Sequence, residues 1–174
     1  MLQRTVTGRE IVLKPTDTIQ SRTDTRGVIQ FVNPTLIRIA GYEKDELIGA
    51  PHNILRHPDM PRSVFYVMWQ VIQRGDEFYG FVKNRAKSGD HYWVFTRVGP
   101  RRNAAGAIDG YSSVRIAPHY RKYLDEWEEI YARLRRFEAG FPPERQCTEG
   151  ARFLSEYLAQ QGYRSLTDYV MRQS

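Results

Sequence analysis

The chain has 174 residues, of which 41% are apolar, and its formal net charge is +6. This length and apolar content predict one domain of ordinary size with a buried core. Basic residues are interleaved with acidic ones, so no nucleic-acid partner is expected. The single cysteine, Cys147, excludes an internal disulfide and a cysteine-rich metal site. The sequence contains no run of about 18 apolar residues and no apolar leader, which favours a cytoplasmic protein without a transmembrane segment.

The first part of the chain carries the signals of short strands and helices. Residues 27–34, GVIQFVNP, predict a strand buried on both faces, because apolar side chains occupy both alternating sets of positions. Two short helical segments follow, PTLIRIAGY and EKDELIG, and Gly49 is typical of the residue just beyond a helix. An amphipathic helix is predicted from Pro61, in its first turn, to Gly75.

Three further strands and a helical tail complete the predicted elements. The strands lie at 77–86, 91–100 and 108–118, and the turn sequences KSGD and RRNAAGA would join them into an antiparallel meander. Beyond them the pattern becomes helical, with an apolar seam formed by Leu124, Trp127, Tyr131 and Leu134. The seam packs either on the chain's own sheet or on a second copy. The order predicts an α+β domain whose sheet is covered by helices.

Three stretches resemble the PAS domain of bacterial aerotaxis receptors, which are flavin-binding redox sensors: GYEKDELIGAPHNILRHPDMPRSVFYVMW, FVKNRAKSGDHYWV and GYSSVRI. The resemblance covers about residues 19 to 117, and RHPDMP followed by Trp69 is its narrowest motif. It implies the PAS fold, an antiparallel sheet of about five strands flanked by short helices. We therefore expect an N-terminal segment at 1–18, a PAS sensor domain at 19–118 and a C-terminal helical extension at 119–174. The sequence contains neither the membrane anchor nor the signalling domain into which that family continues.

A charged cluster with two prolines lies directly before the predicted amphipathic helix. Arg56 can donate a pair of hydrogen bonds to a phosphate, and backbone amides at the helix N-terminus can add to them. His57 and Asp59 can orient each other or a ribose hydroxyl, and Trp69 offers a stacking face. The resemblance implies that these four residues bind FAD. A purely structural interpretation stays open, in which Asp59 caps the helix and Trp69 lies in the core.

Three polar side chains interrupt or end apolar strands. A buried polar group costs roughly 1–3 kcal/mol unless it is hydrogen-bonded, so Asn33, Asn84 and Arg115 are candidate ligand contacts. Amides offer both a donor and an acceptor, as the pyrimidine edge of a flavin requires. The resemblance links both asparagines to flavin contact. In the alternative interpretation, Asn84 begins a hairpin turn and Arg115 faces solvent.

The resemblance implies non-covalent FAD, with FMN or heme as less favoured ligands. A heme would need an axial ligand, for which His57 or His91 are candidates. Light-driven adduct chemistry is not expected, because no cysteine lies in the region where light-oxygen-voltage domains carry theirs. No metalloprotease, serine-triad or phosphate-loop motif is present, so no enzyme is expected.

We therefore predict a sensor of redox state or oxygen-linked electron flow whose signal leaves through the C-terminal helices. The alternative is a cofactor-free PAS module that mediates protein interaction. In either case we expect a homodimer and a signalling partner such as a chemoreceptor or a histidine kinase. No nucleic acid is expected to bind.

Overall fold

One antiparallel sheet organises the computed structural model, which describes residues 5–118 and 122–172. Its strands are β1 (Thr18–Thr23), β2 (Ile29–Val32), β3 (Phe78–Arg85), β4 (His91–Arg102) and β5 (Ile108–Ile116). They are arranged in the order β2-β1-β5-β4-β3, and every neighbouring pair is antiparallel. The predicted α+β architecture with about five strands and C-terminal helices is confirmed.

The helices flank this sheet. They are α1 (Pro34–Ala40), α2 (Lys44–Leu47), a 3-10 turn (His52–Leu55), α3 (Arg62–Gln73), α4 (Lys122–Glu138), α5 (Pro143–Gln160) and α6 (Leu166–Arg172). Gly49 and Gly75 lie just beyond α2 and α3 with φ angles of 83° and 96°, a backbone region that favours glycine. Helix α3 begins one residue later than predicted, because Pro61 occupies the N-cap position.

Two strands differ from the sequence-based expectation. Strand β1 carries no apolar alternation: its buried side chains are Ile19, Ser21 and Thr23, two of which are polar. Strand β2 was expected to be buried on both faces, but Phe31 is 40% exposed beneath the Arg22 guanidinium. This expectation was wrong because β2 is an edge strand, and the C-terminal helices pack at the opposite edge.

The C-terminal helices wrap around the β3 edge of the sheet. Helix α4 covers the sheet's outer face, where the Trp127 and Phe81 ring centroids are 5.8 Å apart. The Tyr131 hydroxyl donates a hydrogen bond of 2.7 Å to the Phe81 carbonyl. Helix α6 lies along β3, and α5 packs on α3, where Gly150 contacts Ser63 so closely that a Cβ would not fit. The extension therefore contacts both the sheet and the helix on its other side.

The apolar seam of α4 is buried within the same chain. Leu124, Trp127, Tyr131 and Leu134 are between 0% and 5% exposed. The structure therefore has the first of the two predicted arrangements, and the seam is not available for self-association. Homodimerisation through another surface stays a prediction. In the ranges that the structure covers, no helix combines the length and apolar character that a membrane span requires.

Candidate functional site

A cavity of about 310 Å³ lies between α3 and the inner face of the sheet. This volume is within the range of roughly 300–1,000 Å³ that is typical of small-molecule sites. Its apolar lining comes from both layers and includes Phe65, Met68, Trp69, Ile72, Val82 and Val98. A flat apolar ring system therefore suits most of the space.

One end of the cavity is polar, and two of its donor atoms have no partner. Arg115 is 4% exposed, and one nitrogen of its guanidinium donates to Ser21 Oγ at 2.8 Å and to His52 Nε2 at 2.6 Å. Its other terminal nitrogen is buried without a hydrogen bond, and so is Nδ2 of Asn84. Each unsatisfied donor costs roughly 1–3 kcal/mol, so this end suits a ligand with hydrogen-bond acceptors.

The structural alternatives for these two residues are wrong. Asn84 lies within β3 opposite Tyr92, and the turn begins only after the strand ends at Arg85. Arg115 points into the cavity instead of facing solvent, because it shares the inner face of β5 with Tyr111 and Ser113. Both side chains line the cavity as the sequence-based hypothesis requires.

The polar end carries positive charge. Burial lowers the pKa of Arg115 to about 10. Burial, followed by the charge of Arg115, lowers the pKa of His52 to about 3. His52 is therefore neutral near pH 7, and its Nε2 lone pair accepts from Arg115. Within residues 5–118 and 122–172, no carboxylate forms an ion pair with Arg115, so the cavity favours a ligand with negative charge at this end.

Arg56 and Trp69 lie at the mouth of the cavity. Trp69 packs edge-on against Tyr111, with ring centroids 5.3 Å apart. Gly27 lies against the same indole, where a Cβ would be only 3.1 Å from Trp69 Cζ2. Arg56 donates to the Met60 carbonyl at 2.9 Å, and burial lowers its pKa. These two predicted site residues are placed to contact a ligand that extends out of the cavity.

His57 and Asp59 do not line the cavity, although the sequence placed them with Arg56. The Asp59 carboxylate accepts from Lys83 Nζ at 3.1 Å and from Arg135 at 3.0 Å. Lys83 also donates to Glu128 at 2.9 Å, so these four residues form an ionic cluster between β3 and α4. His57 is buried, and its Nδ1 accepts the Asp59 amide. Burial lowers the pKa of His57 to about 4.

The expected cofactor contact of Asn33 is replaced by a structural role. Its side chain caps α1 by accepting from the Leu36 amide at 3.1 Å. It also accepts from the Gln20 amide at 3.0 Å and donates to the Thr18 carbonyl at 2.8 Å. These bonds hold β1, β2 and α1 together outside the cavity. The local sequence could not distinguish a cap from a ligand contact.

The N-terminus of α3 is already occupied by a side chain. Glu138 accepts from the amides of Arg62 at 3.0 Å and Ser63 at 2.8 Å, and from Ser63 Oγ at 2.5 Å. The expected phosphate site at these amides is therefore wrong, and so is the alternative in which Asp59 caps the helix. The capping carboxylate comes from α4, far away in sequence, so no local pattern indicated it.

Sequence reasoning missed His52 and Ser21 as cavity residues. No local pattern marked His52, and Ser21 lies on the strand that the apolar pattern did not reveal. Neither candidate heme ligand, His57 or His91, lines the cavity. Over the described part of the chain, no three acidic, histidine or cysteine side chains are arranged to hold a metal ion. Cys147 lies on α5, outside the cavity.

Comparison with known proteins agrees with this architecture. A family described as the PAS fold matches residues 29–115, which is half of the chain. The chain belongs to the PAS family. Its PAS domain is similar to the aerotaxis receptor of Escherichia coli (strain K12), with 43% identity over 110 residues, 63% of this chain and 22% of that protein. It is also 28% identical over 95 residues to the nitrogen fixation regulatory protein of Klebsiella pneumoniae, which covers 55% of this chain and 19% of that protein.

These alignments mean that the chain spans about a fifth of the length of both relatives. Among solved structures, a light-oxygen-voltage domain studied with a flavin analogue superposes with a TM-score of 0.56 at 18% identity. That match covers 64% of this chain and 84% of the other. At 18% identity, this similarity supports a shared PAS fold and nothing further.

Proposed function

We propose that this chain is a sensory PAS domain that binds FAD non-covalently and reports redox state or oxygen-linked electron flow. The observation that carries the proposal is the polar end of the cavity, where donors of Asn84 and Arg115 are buried without partners. The pyrimidine edge of a flavin has acceptor atoms that could pair with both of these donors. The similarity to an aerotaxis receptor supports the same conclusion.

The residues of the chain have distinct roles toward this ligand. The apolar side chains of α3, β3 and β4 would hold the ring system and exclude water. Asn84 and Arg115 would orient its polar edge, while Arg56 and Trp69 would contact the part that leaves the cavity. A bound flavin supplies reversible electron uptake, which changes protonation and charge at its ring nitrogens. Because Arg115 is a buried cation, it would stabilise the flavin state that carries more negative charge.

A route for the signal begins at β3. Asn84 faces the cavity, whereas its neighbour Lys83 faces outward and joins the ionic cluster with Glu128 on α4. The backbone of Asn84 also pairs with that of Arg56 at the cavity mouth. A rearranged hydrogen bond at Asn84 would thus reach both the mouth and α4, which supports the C-terminal helices as the output.

We also propose that the protein acts as a sensor and not as an enzyme, in the cytoplasm, with a chemoreceptor or histidine kinase as partner. A visible absorption spectrum of the purified protein, before and after incubation with FAD, tests the proposal. Flavin absorbance that is released on denaturation supports a non-covalent flavoprotein. Protein that binds neither FAD, FMN nor riboflavin would refute it and favour the cofactor-free interaction module.

Asn84→Leu tests the polar end directly. We expect flavin affinity to fall about five- to tenfold, because a hydrogen bond worth roughly 1–1.5 kcal/mol is lost. The fold should persist, since Nδ2 has no protein partner. Gln70→Leu is the control, because Gln70 is exposed on α3 outside the cavity, and this variant should bind flavin like the wild type. Equal affinities of wild type and Asn84→Leu in fluorescence titrations would contradict the role of Asn84.

A further inference from the structure

A second depression, the mouth groove, continues from the cavity between α3 and the C-terminal helices. Its volume is about 710 Å³. Arg56, Phe65 and Trp69 line both the groove and the cavity, so the two spaces meet at these side chains. Arg135 on α4 and Gln146 on α5 contribute the far wall. A ligand that fills the cavity can therefore extend into the groove.

The mouth groove carries an excess of positive charge. Arg56, Arg62 and Arg135 line it, and Glu138 is the one carboxylate among its lining residues, while Arg135 is also paired with Asp59 at 3.0 Å. That carboxylate is held by the amides at the start of α3. Arg62 is exposed, and Nε of Arg135 is buried without a hydrogen-bond partner. Guanidinium groups in this arrangement suit phosphate oxygens.

The groove also has the features that a nucleoside requires. Tyr66 and Trp69 provide aromatic surface for a base to stack on. The Gln146 amide nitrogen donates to the Phe141 carbonyl at 3.1 Å, which leaves its oxygen as an acceptor for an exocyclic amino group. Phosphate contacts and base contacts thus occur in one continuous space.

We propose that the mouth groove binds the diphosphate and nucleoside half of a flavin dinucleotide, with the C-terminal helices as one wall of the site. This inference rests on the proposed function, in which the flavin ring occupies the cavity. The PAS match ends at residue 115, so Arg135 and Gln146 belong to the extension and not to the matched family region. The cofactor would then touch the sensor core and the output helices at once.

Titration of the flavin-free protein with riboflavin, FMN and FAD tests the inference. We expect FAD to bind at least about tenfold more tightly than riboflavin, which has the ring but neither phosphate nor nucleoside. Arg62→Ala should weaken FAD about fivefold and leave riboflavin unchanged. Arg136→Ala is the matched control: Arg136 is an exposed arginine on α4 outside the groove, and both affinities should stay at the wild-type values.

A second variant blocks the space instead of removing charge. Ala139 lies in the groove and is exposed, so Ala139→Trp should abolish the preference for FAD while riboflavin still binds. Equal affinity of the wild type for riboflavin and FAD would overturn the groove site alone. The groove site would also be overturned if the Arg62→Ala and Ala139→Trp variants both kept the wild-type preference for FAD over riboflavin. If none of the three flavins binds, the proposed function fails as well.

Discussion

Arg115 is buried, and its charge influences the protonation state of the half-buried His52 beside it. The charge of Arg115, in addition to burial, keeps His52 neutral, and neutral His52 accepts a hydrogen bond from Arg115. This arrangement leaves one positive charge at the polar end of the cavity. Its consequence at the residue scale is a dependence of stability on pH.

The free energy of unfolding should fall as the pH drops below about 6.5. His52 has its ordinary pKa of 6.5 when unfolded and about 3 when folded, so between these values the unfolded state binds a proton that the folded state does not. The loss reaches about 1.4 kcal/mol per pH unit for one such group. His57, with a folded pKa of about 4, acts in the same direction.

His52→Gln keeps an acceptor for Arg115 but removes this titration. We therefore expect the loss between roughly pH 6.5 and 5 to become smaller but not to vanish, when unfolding by urea is followed over a pH series, because burial also lowers the pKa of His57 and of His91. Between about pH 7 and 8 these histidines are mostly neutral in both the folded and the unfolded state, so the difference in unfolding free energy between variant and wild type should be nearly constant there. If the unfolding free energy of the variant fell with pH as steeply as that of the wild type, groups other than His52 would cause the acid sensitivity.

At the scale of elements, α4 holds α3 through the carboxylate of Glu138. Glu138 is the last residue of α4 and is buried on the N-terminus of α3, where the positive end of the helix dipole stabilises a negative charge. Helix α3 carries the apolar wall of the cavity, including Met68 and Ile72. Glu138 therefore links the cavity wall to the C-terminal helices through a polar contact.

Glu138→Ala should lower the free energy of unfolding by about 2–4 kcal/mol. The substitution leaves the amides of Arg62 and Ser63 and the Ser63 hydroxyl without their acceptor, and each buried donor costs roughly 1–3 kcal/mol. Glu138→Gln keeps an acceptor oxygen and should cost less. Glu129→Ala, an exposed change on the same helix, is the control and should stay within about 0.5 kcal/mol. Equal stability of the two alanine variants in denaturant titrations would contradict the capping role.

At the scale of the whole molecule, the extension forms part of the folded core. Trp127 is fully buried, and its ring lies 5.1 Å from Tyr169 on α6 and 5.8 Å from Phe81 on the sheet. The sheet, α4 and α6 therefore meet at one side chain. We expect the core and the extension to unfold together.

The double substitution Leu124→Glu and Tyr131→Glu should destabilise the chain, because the seam packs on the chain's own sheet. Burying two carboxylates there is expected to cost more than about 4 kcal/mol, and melting followed by circular dichroism would detect it. Arg136→Glu places a charge on the exposed side of α4 and should have little effect. A double variant that melts like the wild type but changes from dimer to monomer in light scattering would instead place the seam between two chains.

Local sequence patterns determined the strands of the meander, the extent of α3 and the glycines that follow α2 and α3. These features depend on the period of apolar residues and on backbone preferences, which act over a few neighbours. The same reasoning identified Asn84 and Arg115, because a polar residue within an apolar strand must find a partner or a ligand. Where a strand was mostly polar, as in β1, the pattern contained no signal.

Only the tertiary structure decided which partner each polar group finds. Ser63 meets Glu138 across 75 positions of sequence, and Arg115 meets Ser21 across 94. Asp59 joins the ionic cluster and Asn33 caps α1, although the sequence offered both as cofactor contacts. Side-chain chemistry limits what a group can bind, but the group that lies within about 3 Å is set by strand register and helix packing over the whole chain.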